Sequence, residues 1–147
     1  MSYTSLIYHI VYSTKNRQPW LRGDVLSRVI GYTGGVIRNL GGTLLKAGGA
    51  ADHMHLLVGL PPVRPLANIV RDMKSNSSKW IHRELADMGG FAWQDQYSAF
   101  SVSRSAQQRV AKYIDGQAEH HKTMDFIDEL RALLDRHGVE YNPEYLV

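Results

Sequence analysis

Cysteine is absent from the 147-residue chain. That excludes a disulfide framework, a thiolate metal site and a cysteine nucleophile, and it fits a reducing compartment. Long apolar runs are absent too. No stretch approaches the ~20 residues that a membrane-spanning helix needs. The first residues, Met1 to His9, contain no basic segment followed by an apolar one, so they do not read as a secretory signal. A soluble, intracellular protein without a membrane partner is the expectation. Neither sign of charge dominates: 17 Lys and Arg stand against 14 Asp and Glu, a net +3, which permits a polyanionic partner without requiring one. What is present is ordinary globular composition, 44% hydrophobic and 21% charged, which excludes a disordered chain. The length predicts one domain over residues 1–147.

Local patterns order the chain. Leu6 to Tyr12 reads as a first strand, ended by the polar, basic turn Ser13 to Pro19. A helix capped by Asp24 carries Val25, Leu26, Val29, Ile30, Val36, Ile37 and Leu40 at helical spacing. Gly31, Gly34 and Gly35 weaken it by about 1 kcal/mol each, which suggests close packing of its backbone. Gly41-Gly42 stops it. Thr43 to Lys46 predicts a short strand, Gly48-Gly49 with the small residues beside them a bend or hairpin, and Asp52 to Leu60 the strongest strand, closed by Pro61-Pro62. Leu66 to Met88 predicts a long helix and Phe100 to Ser103 another strand. A helix from Ala106 to about Lys122, capped by Ser105, and a last one from about Met124 to His137 complete the chain. The apolar tail, Val139 to Val147, is expected to pack on its own domain or a partner.

The order β-α-β-β-α-β predicts an α+β fold, a ferredoxin-like (split βαβ) antiparallel sheet with helices on one face. Two C-terminal helices follow, the first carrying Tyr113.

Two features bear on chemistry. His53 and His55 lie two apart on a predicted strand, so both rings point to one face, about 6.6 Å apart along the strand, with Met54 turned into the core. Two imidazoles so placed can converge on one divalent ion, and they are equally compatible with a polar surface. Tyr113 and Gln117 lie four apart on a predicted helix and share a face, flanked by Arg109 and Lys112. Alone, such a pair is common, with the tyrosine ring packed on a sheet.

Together they change the reading. A strand bearing histidine, hydrophobic residue, histidine, followed by a helix with Tyr and Gln, resembles the HUH endonucleases. Within these, the chain is similar to the small single-tyrosine transposases of IS200/IS605-type insertion sequences. The matching segments are Thr14 to Pro19, Asp52 to Val58, Lys74 to His82, Phe100 to Ser103, Tyr113 to His121 and His137 to Tyr141. They span nearly the whole chain.

The resemblance implies roles. His53, His55 and Gln117 become ligands of a divalent metal, Mg²⁺ or Mn²⁺, which suits imidazole and amide oxygen. Tyr113 becomes the nucleophile. Its free phenol, with a pKa of about 10, is weak at neutral pH, and a metal with Lys112 and Arg109 nearby would favour the phenolate. Attack would give a 5′-phosphotyrosine, which a 3′-hydroxyl then resolves, so strands rejoin without ATP. The implied partners are single-stranded DNA with hairpin ends and a second copy of the chain, since the family works as a homodimer, in several members with shared active sites. Whether Tyr113 acts in cis or in trans stays open. His120 or His121 can join the metal site or simply meet the helix C-terminus, and Asp52 can orient a histidine or end a turn.

Candidate phosphate contacts are Lys15, Arg17, Arg71, Lys74, Lys79, Arg83, Arg109 and Lys112, with Ser75 to Ser78 as hydrogen-bond donors. Trp20, Trp93 and Tyr97 are candidates for base stacking or for core. Charge is segregated: residues 1–110 hold 13 Lys and Arg against 6 Asp and Glu, a balance of +7, while residues 111–147 hold 4 against 8, a balance of −4. The acidic C-terminal part is therefore expected to lie away from a polyanion. An alternative from another class is a domesticated or palindrome-associated HUH protein that binds, and in some cases nicks, hairpin DNA without autonomous transposition. A histidine-triad nucleotide hydrolase does not fit, because Leu56-Leu57-Val58 follow His55.

Overall fold

Alternation decides the architecture. In strand β1 (Ile7–Ser13) and strand β3 (His53–Gly59), residues at even spacing share a face, and both strands are buried almost throughout. The computed structural model describes residues 2–146, so Met1 and Val147, the last residue of the tail, lie outside the described residues. β3 pairs antiparallel with β1 and with β2 (Thr43–Ala50), and β1 also pairs antiparallel with β4 (Ser98–Val102). The sheet order is β2-β3-β1-β4, the ferredoxin-like order expected from the sequence.

Helix α1 (Val25–Asn39) and helix α2 (Leu66–Glu84) cover one face of the sheet. Ile10, Tyr12, Met54, Leu56 and Val58 of that face pack with Val29, Val36 and Ile37 of α1 and Ile69, Val70, Met73 and Ile81 of α2. The other face is not left open. Helix α3 (Gln107–Asp115), the single turn α4 (Gln117–His120) and helix α5 (Phe126–Arg136) close it. Ile7 and Leu57 meet Ile114, while Val11 and Phe100 meet Phe126, Leu130, Leu133 and Leu134. The sheet is thus sandwiched, and the histidines point into the C-terminal layer.

Several boundaries differ from the sequence reading for physical reasons. β2 runs on through Gly48-Gly49, which stay in the ladder opposite His55 and Met54, and the turn falls instead at Ala51-Asp52. The glycines there serve close approach: a β-carbon on Gly48 would meet the Ile114 carbonyl oxygen at 2.6 Å. Of the three α1 glycines, only Gly34 packs closely, against Leu44. The helix predicted over 106–122 breaks at Gly116, whose N–H is shared between the carbonyls of Lys112 and Tyr113. Asp24 and Ser105 provide no side-chain cap, whereas Asp125 caps α5 by accepting from the Asp128 N–H at 2.9 Å. α1 does stop at Gly41, at φ 85°, where Gly41 and Gly42 donate back to Arg38 and Ile37. Tyr141 and Leu146 of the tail pack against the α5 cluster. Among the described residues no helix is long and apolar enough to cross a membrane.

Candidate metal and tyrosine site

His53 and His55 stand side by side on β3, both fully buried. Each ring is fixed from behind. His53 Nδ1 donates to Asp52 Oδ1 at 2.8 Å, and His55 Nδ1 lies 2.8 Å from Nε2 of His9, the inward-facing residue of β1. Both Nε2 atoms therefore face the same interior point, which is how imidazoles are oriented for a metal. The His9 ring stacks on His55 at 5.0 Å between centroids. Burial first, and the neighbouring His55 next, push the His9 pKa down to about 3, so this ring is neutral.

Four further side chains converge on that point from the C-terminal layer. Tyr113 comes from the end of α3 and Gln117 from α4, just past the break at Gly116. His121 follows α4, and Glu129 comes from α5. Glu129 is 1% exposed, and its two oxygens divide the site. Oε1 lies 3.0 Å from His55 Nε2, 2.9 Å from His121 Nε2 and 3.5 Å from His53 Nε2. Oε2 accepts from the Tyr113 hydroxyl, and from the Gln117 amide at 2.8 Å. Gln117 Oε1 lies 3.0 Å from His53 Nε2. His120 stands off at 3.6 Å from Glu129 Oε2.

The donor set fits a cation. With its Nδ1–H given to Asp52, a neutral His53 ring presents a bare lone pair to Gln117 Oε1 and Glu129 Oε1. Three acceptors facing one another need positive charge between them, either a proton on the imidazole or a metal ion. The ligand atoms of His53, His55, His121 and Glu129 all lie within 4.8 Å of one another. Burial would raise the Glu129 pKa, but hydrogen bonds from His121 and His55 hold the carboxyl well below its usual range. Burial, and then the Glu129 carboxylate, push Tyr113 above its usual value, opposed first by hydrogen bonding with Gln117 and then by the charge of Arg136.

The basic residues fall into separate groups. Arg109 shares a cleft of about 470 Å³ with Tyr113, His9, Arg136 and His137, beside the site. Lys112 is exposed outside this cleft. Lys15 lies in a 3₁₀ turn with Arg17, where Asn16 and Arg17 hold φ 55° and 54°. Buried Arg17 Nη1 has no partner among the described residues. Lys74 of α2 donates to the carbonyls of Gln94 and Gln96 at 2.8 and 2.6 Å, and Arg71 lines the same cleft. Lys79 and Arg83 are exposed further along α2, Arg83 against Glu84 at 2.9 Å. Trp93 belongs to the core and gives its indole N–H to Ser77 at 3.0 Å, while Tyr97 is exposed.

Two site residues escaped the sequence reading. Glu129 carried a signal: it occupies an inward position in the stripe Phe126, Glu129, Leu130, Leu133, Leu134, where a carboxylate is out of place. His9 sits likewise in the inward row Ile7, His9, Val11, Ser13.

The sequence matches the family "Transposase IS200 like" over residues 2–117. The chain belongs to that family. It is 25% identical over 117 residues to the ISDra2 transposase TnpA of Deinococcus radiodurans, covering 76% of this chain and 84% of that one. It is 26% identical over 124 residues to the transposase for insertion sequence element IS200 of Salmonella typhimurium, covering 78% of each. Among solved structures, one from Deinococcus radiodurans R1 described as a transposase superposes with a TM-score of 0.66 at 23% identity, covering 79% of this chain and 93% of that one. A REP-associated tyrosine transposase bound to a REP hairpin superposes with a TM-score of 0.62 at 15% identity, covering 82% and 72%. Both share the fold of this IS200-like chain. His121, Glu129 and all of α5 lie beyond the family match.

Proposed function

We propose that this IS200-like transposase cleaves and rejoins single-stranded DNA through a covalent link to Tyr113. The observation that carries the reading is the meeting of the Tyr113 hydroxyl with the inward Nε2 atoms of His53 and His55 around one buried carboxylate. His53, His55 and Gln117 would hold Mg²⁺ or Mn²⁺, which when bound would polarise the scissile phosphate and offset its growing charge. The Tyr113 oxygen attacks phosphorus, its proton passes to Glu129 Oε2, which already accepts from it, and the 3′-oxygen departs, taking up one proton as the free hydroxyl. The product is a 5′-phosphotyrosine, and attack by a second 3′-hydroxyl restores the phosphodiester and frees the tyrosine.

DNA with hairpin ends approaches over the basic residues. Arg109 lines the cleft at Tyr113, and Lys112 stands next to it in sequence. Lys15, Arg17, Arg71, Lys74, Lys79 and Arg83 meet phosphates further out. Arg17 Nη1, buried and without a partner among the described residues, supports an anion there. The working form is a homodimer. Within the single chain Tyr113 already reaches its own histidine site, which favours cleavage in cis. A second reading, hairpin binding without autonomous transposition, draws on the hairpin-bound structural neighbour.

The test is incubation with single-stranded hairpin DNA and Mg²⁺ or Mn²⁺, followed by denaturing electrophoresis. Wild type is expected to leave a protein–DNA adduct and Tyr113→Phe none. An adduct that survives in Tyr113→Phe overturns the nucleophile, and binding without any adduct in wild type favours the second reading.

A further inference from the structure

Residues 118–147 fall outside the family match, yet they place two side chains in the centre of the site. We propose that Glu129 and His121 are themselves ligands of the divalent ion, joining His53 and His55, so that α5 is bound to the sheet through the metal. The inference rests on the reading of His53 and His55 as metal ligands.

Three observations carry it. First, spacing: donor atoms held about 2.1 Å from one ion stand about 3.0–3.4 Å apart. Glu129 Oε1 lies 3.0, 2.9 and 3.5 Å from the Nε2 atoms of His55, His121 and His53. Second, burial: a carboxylate 1% exposed in the middle of an apolar helix stripe is costly unless positive charge meets it. No Lys or Arg pairs with it among the described residues, and its only ion-pair partners are the imidazoles of His53, His55, His120 and His121. Third, division of labour: Oε1 faces the histidines, while Oε2 receives the Tyr113 hydroxyl and the Gln117 amide. One carboxylate thereby ties the metal position to the nucleophile.

The chemistry has a consequence for the ion. Three imidazoles and one carboxylate form a nitrogen-rich set, which suits Mn²⁺ better than Mg²⁺, an ion that prefers oxygen. The anionic Glu129 is a stronger donor than the neutral amide of Gln117, so it governs affinity.

The test uses the full chain without DNA and Mn²⁺ alone as the probe, titrated by calorimetry. Glu129→Gln and His121→Asn are expected to weaken Mn²⁺ binding at least about tenfold. Gln117→Ala is expected to weaken it less than Glu129→Gln does, and Mg²⁺ is expected to bind more weakly than Mn²⁺ to wild type. Binding equal to wild type in both Glu129→Gln and His121→Asn, with binding lost in His53→Ala, overturns the proposal and leaves the underlying reading standing. Undiminished binding in His53→Ala and His55→Ala overturns both. If the variants fail to fold by circular dichroism, hydrogen exchange of wild type decides. Mn²⁺ is expected to slow exchange in α5 as well as in β3, and slowing confined to β3 overturns the proposal.

Discussion

Gly48 on β2 lies against the main-chain carbonyl of Ile114 on α3, so closely that a β-carbon added to it would stand 2.6 Å from that oxygen. Gly48 also pairs across the ladder with His55, and Ile114 follows Tyr113 directly. One missing side chain therefore sets how near the tyrosine helix comes to the histidine strand. Gly48→Ala is expected to cost about 1–3 kcal/mol of stability by overpacking and to lower adduct formation by moving Tyr113. Chemical denaturation and the adduct assay check it. Unchanged adduct yield in a stably folded Gly48→Ala would show that the close approach does not position the nucleophile.

The two rings of the histidine pair owe their orientation to residues behind them. His9→Leu removes the partner of His55 Nδ1, and Asp52→Ala removes that of His53. Each is expected to weaken Mn²⁺ binding about 10- to 100-fold with the fold retained, since outer partners fix tautomer and ring angle. Calorimetry together with circular dichroism separates this from unfolding. Wild-type affinity in both variants would mean that the rings are held by packing alone.

Arg136 faces the cleft beside Tyr113 although it belongs to the acidic C-terminal part. Arg136→Gln is expected to weaken binding of single-stranded DNA. It should also reduce the slope of log K against log salt by about 0.7, the loss of one phosphate contact. Binding measured by fluorescence anisotropy over a salt series reads this directly. An unchanged slope would place the DNA backbone elsewhere.

Lys74 is half-buried beneath the carbonyls of Gln94 and Gln96. Burial lowers its pKa from 10.5 to about 8, only partly opposed by Asp95. Reductive ¹³C-methylation followed by NMR titration should find one lysine with a midpoint near pH 8, absent in Lys74→Arg. Because the folded value lies below the unfolded one, the unfolded chain binds more protons between about pH 8 and 10.5. Stability contributed by this group therefore rises with pH through that window. A midpoint near the ordinary lysine value would mean that the two carbonyls and solvent hold the ammonium charged and that burial does not govern its titration.

The sequence by itself determined the strands, their order and the placing of His53 and His55 on one face, opposite Met54. Alternation at a period of two follows from backbone geometry, and a run such as Met54-His55-Leu56-Leu57 places its side chains whatever lies opposite. It also marked Tyr113, through residues close together in the chain. The tertiary structure alone decided what those residues meet. His9 reaches His55 across 46 residues and Glu129 across 74, and no local pattern names a partner at that distance. Charge segregation was legible, but its meaning was not. The acidic C-terminal part was expected to lie away from a polyanion. Packing of α5 through Phe126, Leu130, Leu133 and Leu134 instead carries one of its carboxylates into the centre. Periodicity fixes which face of a helix is buried, while only the docking of that face on the sheet fixes which chemistry the buried polar group joins.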